Sequence, residues 1–153
     1  MNYVPMTLQP DKHYLRQLEA TDWQLLREIR LDALKKEPTV FGSSLSGESE
    51  RPDSEWQNRL ADSNRAYFCL FTDGGETVGL TAVYGTIDGS AVLVASYIKE
   101  AYRGRGLSSL LYNARIGWAR ANGFKKAIVS HREDNLISKA ANQRAGFRYT
   151  HTE

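Results

Sequence analysis

The sequence predicts a mixed α/β fold in which helices flank one sheet. Runs with strand character alternate with stretches of helical period in the order β-α-α-β-β-β-α-β-α-β, a pattern that excludes an all-helical bundle or a β-sandwich. No internal repeat, linker or low-complexity segment interrupts that order, so residues 1–153 read as one domain. With 41% hydrophobic residues, a chain of this length buries roughly two thirds of its unfolded surface around one core.

Residues 13–19 alternate as a strand, and Thr21-Asp22-Trp23-Gln24 has the Thr-x-x-Gln spacing of a capping box. Leu25, Leu26, Ile29, Ala33 and Leu34 give the ensuing helix its apolar stripe, and Pro38 marks its end. Residues 41–52, rich in Ser, Glu and Gly, read as a mobile loop before a short helix over 53–63, where Trp56 and Leu60 lie one turn apart. Strands over 66–72 and 77–84, joined by Asp73-Gly74-Gly75-Glu76, make a hairpin. Residues 91–98 are almost wholly apolar and β-rich, as a central strand requires. The strongest helix follows: Leu107, Leu110, Leu111, Ala114, Trp118 and Ala121 share one face, and Asn122-Gly123 ends it. Residues 126–131 then read as a strand, 135–145 as a helix closed by Gly146, and 147–150 as a short final strand.

Composition narrows the function classes. The longest apolar runs, 66–71 and 91–95, fall far short of the roughly 20 residues of a membrane-spanning helix. The first ten residues hold neither a basic residue nor an apolar signal core, so the expected location is cytoplasmic, with no membrane partner. Cys69, the only cysteine, lies in an apolar strand and reads as buried; with three scattered histidines it lacks the spacing of a metal site. Residues 1–95 carry 9 Lys/Arg against 14 Asp/Glu, whereas 96–153 carry 11 against 4, net −5 and +7. The basic portion points to an anionic ligand. Its charges surround a glycine turn without interleaved aromatics, which argues against nucleic acid, and Arg115 and Arg120 read as the solvated face of the long helix.

The informative segment joins the central strand to that helix: Ile98-Lys99-Glu100-Ala101-Tyr102-Arg103-Gly104-Arg105-Gly106-Leu107-Ser108. A strand that passes through Arg-Gly-Arg-Gly into a helix presents unpaired N–H groups, the positive end of the helix dipole and two guanidiniums, which together suit a diphosphate. A plain turn with two surface arginines has the same spacing. Other phosphate motifs fit worse. Gly104-x-Gly106-x-x-Ser109 lacks the third glycine of a dinucleotide fingerprint, and Phe124-Lys125-Lys126 stands where an acid would bind ribose. Neither a P-loop Gly-Lys-Ser/Thr nor a Gly-x-Ser-x-Gly elbow is present.

Arg103-x-x-Gly106-x-Ser108 resembles the Gln/Arg-x-x-Gly-x-Gly/Ala phosphate loop of the GNAT superfamily of acyl-CoA-dependent N-acetyltransferases, with Ser as its last small residue. Asn135-x-x-Ser138 and Gly146-Phe147 resemble the second signature of that family, 29 residues beyond Gly106. The resemblance spans about residues 14–149 and includes Pro38-Thr39-Val40-Phe41-Gly42-Ser43-Ser44, similar to an acceptor-side loop of bacterial members. It implies a single central mixed, mostly antiparallel sheet and, with no metal, the transfer of acetyl from acetyl-CoA to a primary amine by direct attack in a ternary complex. The amine belongs to a small molecule or peptide. The phosphates are expected at Arg103, Gly104, Arg105, Gly106, Leu107, Ser108 and Ser109, the pantetheine arm at Tyr97 and Ile98, and further cofactor contacts at Asn135, Ser138 and Asn142. The Ile98 N–H would face the thioester oxygen as an oxyanion donor. A cationic acceptor suits the acidic portion over 1–95.

The resemblance also implies a tyrosine seven residues after the motif asparagine to protonate the leaving thiolate, yet that residue is Asn142. A thiol of pKa about 8.5 leaves fairly well near neutrality, whereas an alkyl ammonium near 10.4 must give up its proton at a cost of roughly 4.6 kcal/mol at pH 7. The base is therefore the larger question. His131, at the end of its strand, is the first candidate, with a solvated strand-end histidine as the plainer reading; Tyr97, Glu48 and Glu100 are candidates through water. His13 and His151 read as surface, and Tyr112, Trp118 and Trp23 as core aromatics. The missing tyrosine keeps open a non-catalytic acyl-CoA-binding or sensor module, and the basic stretch a nucleic-acid module. Family members finish with two strands, the last beside the strand after the long helix. This chain is expected to lack that last strand, with residues 2–9 or the partner of a homodimer covering the edge.

Overall fold

A computed structural model describes residues 7–8, 13–37, 45–131 and 133–152. The acceptor-side loop expected over 38–44 lies outside them. Six strands among the described residues, β1 (Thr7–Leu8), β2 (His13–Gln17), β3 (Arg65–Thr72), β4 (Thr77–Gly85), β5 (Ser90–Ile98) and β6 (Lys126–Val129), form one sheet in chain order. Every neighbouring pair is antiparallel except β5 with β6. The helices are α1 (Trp23–Lys36), α2 (Leu45–Ser49), α3 (Asp53–Ala61), α4 (Ser108–Ala121) and α5 (Leu136–Arg144). The mixed, mostly antiparallel sheet with flanking helices is the fold class expected from the sequence.

Strand alternation divides the core between the two faces of the sheet. Ala66, Phe68 and Leu70 of β3 turn toward α4, where Leu107, Leu111, Ala114 and Trp118 meet them. Cys69 and Phe71 turn to the other face, with Leu26, Ile29 and Ala33 of α1 and Trp56 of α3. Burial raises the Cys69 thiol far above its ordinary pKa, which makes it an inert core residue.

Several expectations are corrected. The capping box lies at Glu19 and Asp22, ahead of Thr21: Asp22 accepts from the Glu19 N–H at 2.7 Å, and α1 follows a 3-10 turn over Ala20–Asp22. Arg16 donates to the same carboxylate at 2.9 Å, and that fixed charge outcompetes the Thr21 hydroxyl as helix opener. Residues 45–49, inside the expected loop, form a helical turn that carries Glu48 inward. No strand forms over 147–150. Phe147 packs into the core and tilts against Tyr112 with ring centroids 6.1 Å apart, while Arg148 and Tyr149 face solvent and no neighbouring strand pairs with them. Among the described residues no strand follows α5. Within the segment expected to cover the β6 edge, Thr7–Leu8 instead pair with β2 at the opposite edge, Thr7 against Leu15. His13 is buried rather than superficial, edge-on to Tyr102 at 5.7 Å.

Candidate active site

The site is organised by a defect in β5. Between the pairs Leu80↔Tyr97 and Ala82↔Val94, β5 spends one more residue than β4, and Ala95 takes up the excess with φ +59°. That is a β-bulge with a non-glycine residue in the left-handed region, held there by the ladder on either side. On its other edge β5 pairs with β6 only from Ser90↔Lys126 to Leu93↔Val129, after which the strands part. The remainder of β5, to Ile98, presents an unpaired edge to the gap. Lys99 donates to the Val78 carbonyl across β4 at 2.9 Å, so by alternation the N–H and C=O of Ile98 both face the gap. Tyr97 points away from it, donating its hydroxyl to Asp32 of α1 at 2.8 Å; burial and that carboxylate hold its pKa high, so it makes a poor base.

At the far end of β5 the chain turns into α4 through Gly104 and Gly106, both with φ +76°, a conformation that favours glycine. Space around both is open, so conformation alone accounts for the two glycines within the protein. No backbone N–H from residue 104 to 109 finds an acceptor among the described residues, and this stretch leads into the positive end of α4. The two arginines behave differently. Arg103 is tied to Glu37, at the end of α1, and donates to the Ile98 carbonyl at 2.7 Å. Arg105 lies exposed over the Tyr102 ring, 5.2 Å from its centroid, and donates to Ala101. Ser108 opens α4 and Ser109 donates its hydroxyl to the Gly106 carbonyl at 2.9 Å, while Leu107 is buried in the core. Across the gap, Asn135 caps α5 by accepting from the Ser138 N–H at 3.0 Å.

A cavity of about 500 Å³ runs through the gap from one face of the sheet to the other. On the α1 face its wall holds Glu48, 2% exposed, which accepts from Arg30 and Arg59 at 3.1 Å each. Glu48 is the only acid on the described wall, beside Arg30, Arg59 and Arg65, because most of the other carboxylates sit at partly or fully exposed positions. Glu100 lies outside this wall, on an exposed 3-10 turn.

On the α4 face Tyr112 and Arg115 line the cavity. Tyr112 is a core aromatic, as expected, and its hydroxyl also donates to Oδ1 of the buried Asn142. Tyr112 thus brings a phenol from α4 to the side of the amide at position 142. Burial raises its pKa against the opposing pull of Arg115 and Arg144, so it stays protonated at neutral pH. The Asn142 amide nitrogen also lies 3.2 Å from His131 Nδ1, so His131, exposed at the end of its strand segment, borders the cavity with this ring nitrogen engaged. Arg115, expected on the solvated face, is 2% exposed. Its signal was visible: it stands four residues after Leu111 and three before Trp118, at the margin of the apolar stripe.

A splayed central strand that leads into an N–H-rich glycine turn suits an extended ligand that carries phosphates. The chain belongs to the Acetyltransferase (GNAT) family, whose model matches residues 23–147, and it is an acetyl-CoA-dependent N-acetyltransferase. A comparison with curated proteins returns no match. Among solved structures, the chain is similar to AAC(6')-Iy in complex with the bisubstrate analogue CoA-S-monomethyl-acetylneamine, with TM-score 0.74 and 19% identity over 92% of this chain and 94% of that one. It is also similar to an aminoglycoside acetyltransferase from an uncultured soil metagenomic sample, with TM-score 0.78 and 16% identity over 93% and 95%. A GNAT-family acetyltransferase from Streptococcus pneumoniae gives 0.75 and 20% over 88% and 83%. Among the described residues no group of three or more metal-ligating side chains occurs, and no helix is long and apolar enough to cross a membrane.

Proposed function

We propose that residues 1–153 act as one domain that acetylates a primary amine of a small molecule by direct attack on acetyl-CoA in a ternary complex. The observation that carries this reading is the bulged, unpaired edge of β5 leading from the N–H-rich turn at Gly104–Gly106 into the cavity. The diphosphate lies on the turn and the pantetheine arm runs along Tyr97 and Ile98. The Ile98 N–H faces the thioester oxygen and stabilises the charge that develops there. Asn135 and Ser138 form the opposite side of the donor channel. The structural likeness to proteins named as aminoglycoside acetyltransferases supports a small-molecule acceptor. A cytoplasmic location and a homodimer, as the sequence suggested, belong to the same reading.

Tyr112, oriented by Asn142, protonates the departing thiolate, and His131 positions Asn142. Tyr112→Phe should lower kcat about a hundredfold, the low end for a general acid because a thiolate leaves fairly well unaided, with KM for acetyl-CoA unchanged. An unchanged kcat would remove Tyr112 from this role. The described wall offers no unhindered base, since Glu48 is occupied by two guanidiniums and His131 Nδ1 by Asn142. The amine thus enters deprotonated, and kcat/KM should climb about tenfold per pH unit until it nears the acceptor's own pKa, about 10.4 for an alkyl amine. A plateau below about pH 8 would reveal an enzymic base.

The decisive experiment follows thiol release from acetyl-CoA across a library of small amines. Release that depends on one acceptor class is expected. Tight binding of acetyl-CoA with no acceptor-dependent release would leave a sensor module instead.

A further inference from the structure

The arginines on the cavity wall are not alike. Arg30 and Arg59 share Glu48, and Arg65 pairs with Asp62 at 3.2 Å. Arg115 has no carboxylate among the described residues. Among the described residues its only hydrogen bond runs from Nε to the Leu111 carbonyl of its own helix, 3.0 Å away, and its guanidinium lies 4.9 Å from the Tyr112 ring centroid. Burial lowers its pKa to about 10, which still leaves a full cation at neutral pH. A buried charge without a partner costs several kcal/mol, and proteins as a rule pair such charges. Here the missing anion has a place to sit, because the guanidinium borders the cavity.

Its depth in the gap follows from the wall it shares: Arg115 lines the cavity with Val94, Ala95 and Ser96 of β5 and Val129 of β6, whereas Ile98 is not on that wall. Ser96 stands two residues deeper along β5 than Ile98, about 6.6 Å of strand. From a thioester carbonyl at the Ile98 N–H, three C–C bonds reach roughly 4 Å inward, within ion-pairing range of that depth.

We propose that Arg115 is a specificity residue for the donor, so that the enzyme accepts, besides acetyl-CoA, a short acyl-CoA whose acyl chain ends in a carboxylate. The inference rests on the transferase reading. The amine nitrogen bonds to the thioester carbon, the C–S bond breaks, a proton released from the amine is matched by one delivered to the CoA sulfur, and the distal carboxylate stays on Arg115 unchanged.

Stable thioethers test this without an acceptor. The protein should bind S-(3-carboxypropyl)-CoA at least about tenfold more tightly than S-butyl-CoA, the increment of one charge-assisted pair. Arg115→Met should abolish or reverse that preference and Arg115→Lys retain part of it, with both variants binding unmodified CoA as the wild type does. Replacement of a lone buried charge by a thioether of similar length is expected to fold, and thermal melting checks it. Equal affinity for the two thioethers in the wild type, or a preference that survives in Arg115→Met, overturns the proposal alone. Failure of CoA itself to bind overturns the transferase reading and this inference with it.

Discussion

Gly106→Glu is expected to abolish coenzyme A binding in a protein that still folds. The open space around Gly106 means that an added Cβ meets no neighbour within 4 Å, and the left-handed backbone makes its cost about 1–2 kcal/mol. The carboxylate would stand beside the N–H groups of 104–109 and face the incoming phosphates. Two unit charges about 4 Å apart at an effective dielectric of about 20 repel by about 4 kcal/mol, a thousandfold or so in Kd. Isothermal titration with CoA, beside a thermal melt, separates lost binding from lost folding. Affinity unchanged in the variant would place the phosphates elsewhere.

Removal of Glu48 should cost as much stability as truncation of a large core side chain. Glu48→Ala leaves two guanidiniums, Arg30 and Arg59, with 14% and 17% of their side chains exposed and without this shared carboxylate. Breaking a buried pair of this kind costs about 3–5 kcal/mol. Urea denaturation at neutral pH should show that loss as a lower midpoint with an unchanged slope. A change below about 1 kcal/mol would mean that solvent or the remaining wall takes over the two charges.

What could be read from the sequence was what is locally encoded. The hairpin of β3 and β4, the apolar central strand and the stripe of α4 depend on period and on turn residues a few positions apart, and each stands within a residue or two of its expected bounds. The turn through Gly104 and Gly106 was legible for the same reason, since a positive φ leaves a glycine as its mark. The bulge at Ala95 left none: it carries an alanine, and it arises from the register between strands rather than from its own residue type. The capping box moved because Arg16, on another element, holds Asp22. Arg115 is buried against its expected solvated face, and the contact of the core residue Tyr112 with Asn142 leaves no local mark, because their surroundings come from α5 and the sheet gap, which helical period does not specify.

The parting of β5 and β6 is set by the protein's own ladder. Because Ala95 is locked out of line by the pairs on both sides of it, no hydrogen bonds between those two strands need to be undone to admit the pantetheine arm. Capture of the donor should therefore be a matter of encounter and fit into a preset furrow, with association rates insensitive to treatments that loosen the sheet and sensitive to salt, which weakens the pull of the turn on the phosphates.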